Sequence, residues 1–97
     1  MARITFVSRM TVKPEREAQF IAACRRLEEY VRAHEPDTIY FEFFRLREPR
    51  RFAVLESFRD AAAEERHMQS PLLAELLPTF VSSVEGTWER EYFDPLT

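Results

Sequence analysis

The sequence predicts an α+β fold, a four-stranded antiparallel sheet with helices on one face, in the order β-α-β-β-α-β. Three observations carry this. The apolar runs Ile39–Phe44 and Phe52–Phe58, joined by the turn-like residues Arg47–Arg51, read as a β-hairpin. One alternating segment and one helix-period segment precede the hairpin, and one of each kind follows it. Both sides of the hairpin are largely apolar: Ile39, Phe41 and Phe43 on one, Tyr40, Phe44 and Leu46 on the other, interrupted by Glu42. A sheet with one wet face alternates apolar with polar residues instead. A chain this short covers one face with its own helices, so the second face calls for a second copy.

The elements follow in order. Ile4–Val12 alternates, with Ile4, Phe6, Met10 and Val12 on one side and Ser8 among them. Lys13-Pro14 ends that strand, and Pro14 suits the first position of a helix. Glu15 to about His34 is the clearest helix, with Phe20, Ala23, Cys24, Leu27, Tyr30, Val31 and His34 at helical spacing. Glu15 and Glu17 complement its positive first turn. Pro36 stops it by pushing Glu35 out of helical geometry. After the hairpin, Asp60 is an N-cap for a helix over 61–68. Ser70-Pro71 signals a second helix start, so one helical region breaks near Gln69–Ser70. Leu72, Leu73, Leu76, Leu77 and Phe80 continue it, with Pro78 expected to end that turn. Val84–Phe93 is the last strand, setting Trp88, Arg90 and Tyr92 against Thr87, Glu89, Glu91 and Phe93. This is the split βαβ, or ferredoxin-like, pattern. Two such sheets packed face to face, about 10 Å apart, would bury the uncovered side in a twofold homodimer.

Composition narrows the function classes. Ninety-seven residues make one domain, 1–97. A net charge of −3 and the lack of a basic stripe argue against a nucleic-acid partner. Lys13 is the only lysine among 14 basic residues, which reads as compositional bias rather than phosphate recognition. The single cysteine, Cys24, rules out a disulfide framework within one chain and suits a cytoplasmic location. No run approaches the roughly 18 consecutive apolar residues of a membrane span, and no signal-peptide core is expected at the N-terminus. Gly86 is the only glycine, which removes the Gly-rich phosphate loops. With two histidines, one cysteine and no close His pairing, no metal site is expected.

Several stretches together resemble the antibiotic biosynthesis monooxygenase family of small dimeric α+β barrels. They are Val12-Lys13-Pro14-Glu15 with Phe20, His34-Glu35-Pro36-Asp37-Thr38-Ile39-Tyr40, Phe52–Asp60, and His67-Met68-Gln69-Ser70-Pro71. Their order and spacing match over nearly the whole chain. The resemblance implies that catalytic members oxidise quinols or polycyclic phenolic compounds with O₂, without flavin, haem or metal. It places the pocket between the sheet and the helices. It also includes haem degraders and members without enzymatic activity. Haem-degrading relatives carry an Asn near the Ser8 position and a His ligand in the second half of the second helix. This sequence has Ser8 and Leu76-Leu77-Pro78 there, which argues against haem degradation.

Two residues are candidate catalytic groups. By resemblance, His67 falls where the family often carries His or Trp beside the pocket, and a neutral imidazole can accept a phenol proton. The plainer alternative is a helix-terminal histidine bonded to a carbonyl or to Glu56. Glu56 interrupts an apolar strand, and burial raises a carboxyl's pKa, which suits a general base. Its plainer role is a structural pairing with an Arg or His67. A turn symmetric about residue 49 would set Glu42 directly opposite Glu56. Substrate-binding candidates are Ser8 and Tyr40 as hydroxyls, Phe58 and Trp88 as flat apolar walls, and Arg90 as a cation for a phenolate. His34 is expected as a core or cap histidine. The function expected is a cofactor-independent monooxygenase acting on a small aromatic substrate and O₂. The alternatives are a non-catalytic ligand-binding or stress-response barrel, and a structural dimer with a collapsed slot.

Overall fold

The computed structural model describes residues 2–96. Its elements are β1 (Ile4–Val12), α1 (Glu17–His34), β2 (Thr38–Arg45), β3 (Arg51–Phe58), α2 (Ala61–Met68), α3 (Pro71–Ser83) and β4 (Val84–Phe93). The four strands form one antiparallel sheet in the order β2-β3-β1-β4. The ferredoxin-like α+β fold is therefore the observed one, with the second helical region split in two.

The inner face of the sheet is the one the helices cover. Phe6, Ser8, Met10 and Val12 of β1 are buried there, every second residue, as a pleated strand requires. Phe52, Val54, Glu56 and Phe58 do the same on β3. From α1, Phe20, Ala23, Cys24, Leu27 and Val31 pack onto them, joined by Leu76 and Phe80 of α3. This i, i+3, i+4, i+7 spacing places one helical stripe against the sheet.

Local signals explain the boundaries. Pro14 opens a short 3₁₀ turn, Pro14–Arg16, so the α-helix proper starts at Glu17, two residues after the expected start. The Asp60 carboxylate accepts from the Ala63 N–H at 2.9 Å, and Ser70 Oγ accepts from the Leu73 N–H at 3.3 Å. Pro78 does not end α3, contrary to expectation; the helix runs on to Ser83. Pro78 is exposed, so the lost N–H bond falls on the solvent side, while Leu76, Phe80 and Ser83 stay buried on the inner side. His34 is exposed rather than part of the core, its ring 4.7 Å from that of Tyr30.

Two irregularities matter for function. The β2–β3 register sets Phe41 opposite Glu56 and Glu42 opposite Leu55. Glu42 and Glu56 are therefore not partners, as a turn symmetric about residue 49 would make them. The turn is displaced so that the two carboxylates fall on opposite faces. On β4 the pairing with β1 jumps between Arg9 and Thr11, from Glu89 to Glu85. Gly86 sits in that jump with φ +79°, a backbone angle that glycine adopts without strain. This bulge holds Trp88 against Phe80, ring centroids 6.0 Å apart.

The outer face is only half apolar. Tyr40 and Phe44 lie exposed at the hairpin side. The β1–β4 side carries the ion pairs Arg9–Glu91, Arg51–Glu89 and Arg50–Glu85. The apolar outer side expected of the hairpin is found there and does not extend to β4, where Glu85, Glu89 and Glu91 make the ion pairs.

Candidate active site

Between the inner face of the sheet and the helices lies a cavity of about 320 Å³. The aromatic walls are Phe41 and Phe43 of β2, Phe80 of α3 and Trp88 of β4. Leu27, Val54, Leu73, Leu77, Met68 and Val81 complete the apolar lining. Met68, Leu77 and Val81 are more than half exposed and form the rim. Three lining residues carry ionisable groups, Glu56, His67 and Arg90. An open slot beside His67 contradicts the collapsed-dimer alternative.

Glu56 is held by the sheet itself. Phe6 stands opposite on β1 and Phe41 opposite on β2, so the carboxyl is flanked by rings. Burial pushes its pKa from the ordinary carboxylate range up to about 7. The charges of His67 and Arg90 pull it back, while those of Glu64 and Glu35 add to the rise. At neutral pH such a carboxyl is poised between its two forms, the condition a general base requires.

His67 is 3 % exposed, pointing inward because it follows buried Ala63 by one helical turn. The rings of Phe41 and Phe58 flank the imidazole at 5.1 and 5.2 Å. Its Nδ1 lies 2.8 Å from Glu35 Oε1. A carboxylate can only accept, so Nδ1 carries a hydrogen and donates it to Glu35. Nε2 points toward Glu56 Oε1 at 3.6 Å, beyond hydrogen-bond length. The hydrogen-bond partner is therefore Glu35, which neither plain alternative named, while Glu56 stands at ion-pair distance from the other ring nitrogen.

Arg90 lies opposite Ser8 in the sheet, and its Nε–H donates to Ser8 Oγ at 3.2 Å. The guanidinium carbon sits 4.2 Å above the Phe6 ring. Ser8 is fully buried, so its hydroxyl orients the arginine rather than facing the cavity. Phe58 is likewise fully buried and backs His67 without lining the cavity. Tyr40 is on the outer face, with its hydroxyl 2.6 Å from Glu42 Oε1. Of the candidates, the fold brings His67, Glu56, Trp88 and Arg90 to one cavity, sets Ser8 and Phe58 behind it, and leaves Tyr40 outside.

Sequence reasoning overlooked Glu35 as a functional group, reading it only as the residue that ends α1. In the structure it is the C-cap, φ −122° and ψ 78°, and that turn aims its side chain at His67. Thr38 Oγ1 donates to the same Oε1 at 3.1 Å. The signal was available: an acidic residue beside a helix-stopping proline sits off the helix face, free to reach elsewhere. Among the described residues, no cluster of three His, Cys, Asp or Glu could hold a metal ion, and no helix is long and apolar enough to cross a membrane.

The family model described as antibiotic biosynthesis monooxygenase matches residues 3–86. Solved structures with the same fold include a candidate antibiotic biosynthesis monooxygenase from Caulobacter crescentus, at TM-score 0.91 and 22 % identity. That match covers 98 % of this chain and 91 % of the other. A conserved protein from Methanosarcina mazei matches at TM-score 0.85 and 24 % identity, over 96 % and 92 % of the two chains. A Shewanella oneidensis protein matches at TM-score 0.82 and 27 % identity, over 94 % and 88 %. No curated protein is significantly similar in sequence.

Proposed function

The chain belongs to the antibiotic biosynthesis monooxygenase family, and from that premise we propose that it is a cofactor-independent monooxygenase. Its substrate is a quinol-like or polycyclic phenolic compound, oxidised by O₂. One observation carries this reading: an aromatic-walled cavity whose ionisable groups are Glu56, His67 and Arg90. Flat rings suit the space between Phe41, Phe43, Phe80 and Trp88. Glu56 takes the proton of a substrate hydroxyl, with His67 Nε2 3.6 Å from its Oε1. Arg90, oriented by Ser8, stabilises the phenolate that results. The electron-rich ring then reduces O₂ in a site where the apolar lining keeps water away.

The working unit in this reading is a homodimer in the cytoplasm. The exposed hairpin side of the outer face, with Tyr40 and Phe44, supports a second copy as its cover.

The test is oxygen consumption against a panel of quinols and anthrones. The native protein is expected to take up oxygen with at least one of them. His67→Ala is expected to lower turnover by about tenfold or more, within the usual range for a proton-transfer group, with the dimer intact by light scattering. Ligand binding without oxygen uptake would favour a non-catalytic binding module. Full activity in His67→Ala would remove that residue from the chemistry.

A further inference from the structure

The His67 ring is a wall between two cavities. On one side is the aromatic cavity, with Glu56 Oε1 3.6 Å from Nε2. On the other is a more polar cavity of about 360 Å³, bounded by the end of α1, by α2 and by the start of α3. Glu35 lines this second cavity and holds His67 Nδ1 at 2.8 Å. Its other oxygen, Oε2, is buried without a hydrogen-bond partner among the described residues. Two carboxyls therefore sit at opposite nitrogens of one buried imidazole, each belonging to a different cavity. A histidine kept only for packing needs neither arrangement.

We infer that Glu56, His67 and Glu35 form a relay that carries a proton between the aromatic cavity and the polar one, with Glu35 as the positioning residue at its outer end. The inference rests on the proposed oxidation for the source of the proton. A substrate O–H bond breaks and its proton passes to Glu56. Glu56 delivers it to His67 Nε2, once the gap closes to hydrogen-bond length. The ring gives up its Nδ1 proton to Glu35, which releases it to the polar side. The electron pair left on the substrate ring forms a C–O bond with O₂, giving a peroxide. One proton returning along the same chain protonates that peroxide and restores the starting tautomer. The O–O bond then breaks as a carbonyl forms, and water leaves with the second substrate hydrogen. Over a turnover the relay neither gains nor loses a proton.

The charged and titratable groups that act on Glu56 are His67 and Glu64 of α2, Arg90 of β4 and Glu35 at the end of α1, while the flanking strands β1 and β2 present the uncharged rings of Phe6 and Phe41. Removing the Glu35 charge takes away one influence that favours the protonated form of Glu56. Glu35→Gln is then expected to move the Glu56 titration to lower pH.

The deciding variant is Glu35→Gln in the full chain. Glutamine keeps the shape and an oxygen that accepts from Nδ1–H, but it cannot take the proton. Nitrogen-15 NMR of the wild type is expected to show His67 protonated at Nδ1 above neutral pH. In Glu35→Gln the tautomer is expected to persist, while exchange of the Nδ1 proton with solvent slows by about tenfold or more, the scale of a lost proton-transfer partner. Glu35→Asp, which keeps an ionisable carboxyl, is expected to restore most of that exchange. An Nε2-protonated ring in the wild type overturns the relay. So does unchanged exchange in Glu35→Gln, or, if that variant does not fold, exchange in Glu35→Asp slowed as though no carboxyl were present. None of these measurements needs a substrate. Absence of oxygen uptake would sink the oxidation and leave the relay standing, and failure of the relay would leave the oxidation standing.

Discussion

Glu42 and Glu56 sit on neighbouring strands, both set among hydrophobic residues, yet they occupy opposite chemical worlds. Glu42 is on the outer face and accepts from the Tyr40 hydroxyl at 2.6 Å. Glu56 is on the inner face, between Phe6 and Phe41, with its pKa raised to about 7. The residue type is the same, and the backbone is a strand in both cases. What separates them is which way a pleat points, and hence whether water can solvate the charge. The contrast shows that an acidic residue in an apolar strand is only half a statement. The register supplies the other half.

Exchanging each carboxylate for its amide breaks or sharpens this contrast. The largest expected effect is on turnover. Glu56→Gln removes the proposed base and is expected to lower oxygen uptake by about a hundredfold or more, whereas Glu42→Gln is expected to leave it within about twofold. Equal losses in both variants would mean that the inner position is not the special one.

The next effect is on stability, and its sign follows from the raised pKa. A buried carboxyl that titrates near 7 when folded, and near 4.5 when unfolded, holds its proton more tightly in the native state. Its contribution to stability is fully present below the unfolded value and is lost as pH rises through about 7. Glu56→Gln, which never ionises, is then expected to be more stable than the wild type at pH 8, by roughly 1–3 kcal/mol from the size of the shift, and similar to it at pH 4. Denaturant unfolding at the two pH values reads this directly. A stability difference that does not change with pH would mean that Glu56 is not perturbed. Glu42→Gln is expected to show no such pH dependence.

The smallest effect is confined to the outer face. The bond to Glu42 holds the Tyr40 phenol above its ordinary pKa. Glu42→Gln is expected to bring that titration back toward the usual tyrosine value, read by ultraviolet absorbance of the phenolate. A Tyr40 titration that ignores the change would separate the two residues in solution.

Much of this was legible from residue order. The alternation of β1 and β3, the α1 stripe and the Asp60 and Ser70 caps are local patterns, and local patterns persist in the fold because each is satisfied within a few residues. His67 was readable as a pocket residue through the resemblance to a known family, and Glu56 as an acidic residue in an apolar strand, but their meeting with Trp88 and Arg90 at one cavity was not. Pro78 was misread because its usual helix-ending effect was weighed without the burial of Leu76 and Phe80 on either side of it. Tyr40 was misplaced because a strand's two faces look alike when both carry aromatic residues.

The sequence by itself determined the order of elements, the helical stripe that covers one sheet face and the chemical character of the residues on offer, since these depend on neighbours a few positions apart. Only the tertiary structure decided which carboxylate is buried, which hydroxyl serves Arg90, and that Glu35 holds His67 from 32 positions away. Those outcomes hang on hairpin register and on the turn that ends α1. A displacement of one residue in either costs little locally, yet it exchanges solvent for a ring as the neighbour of a charge.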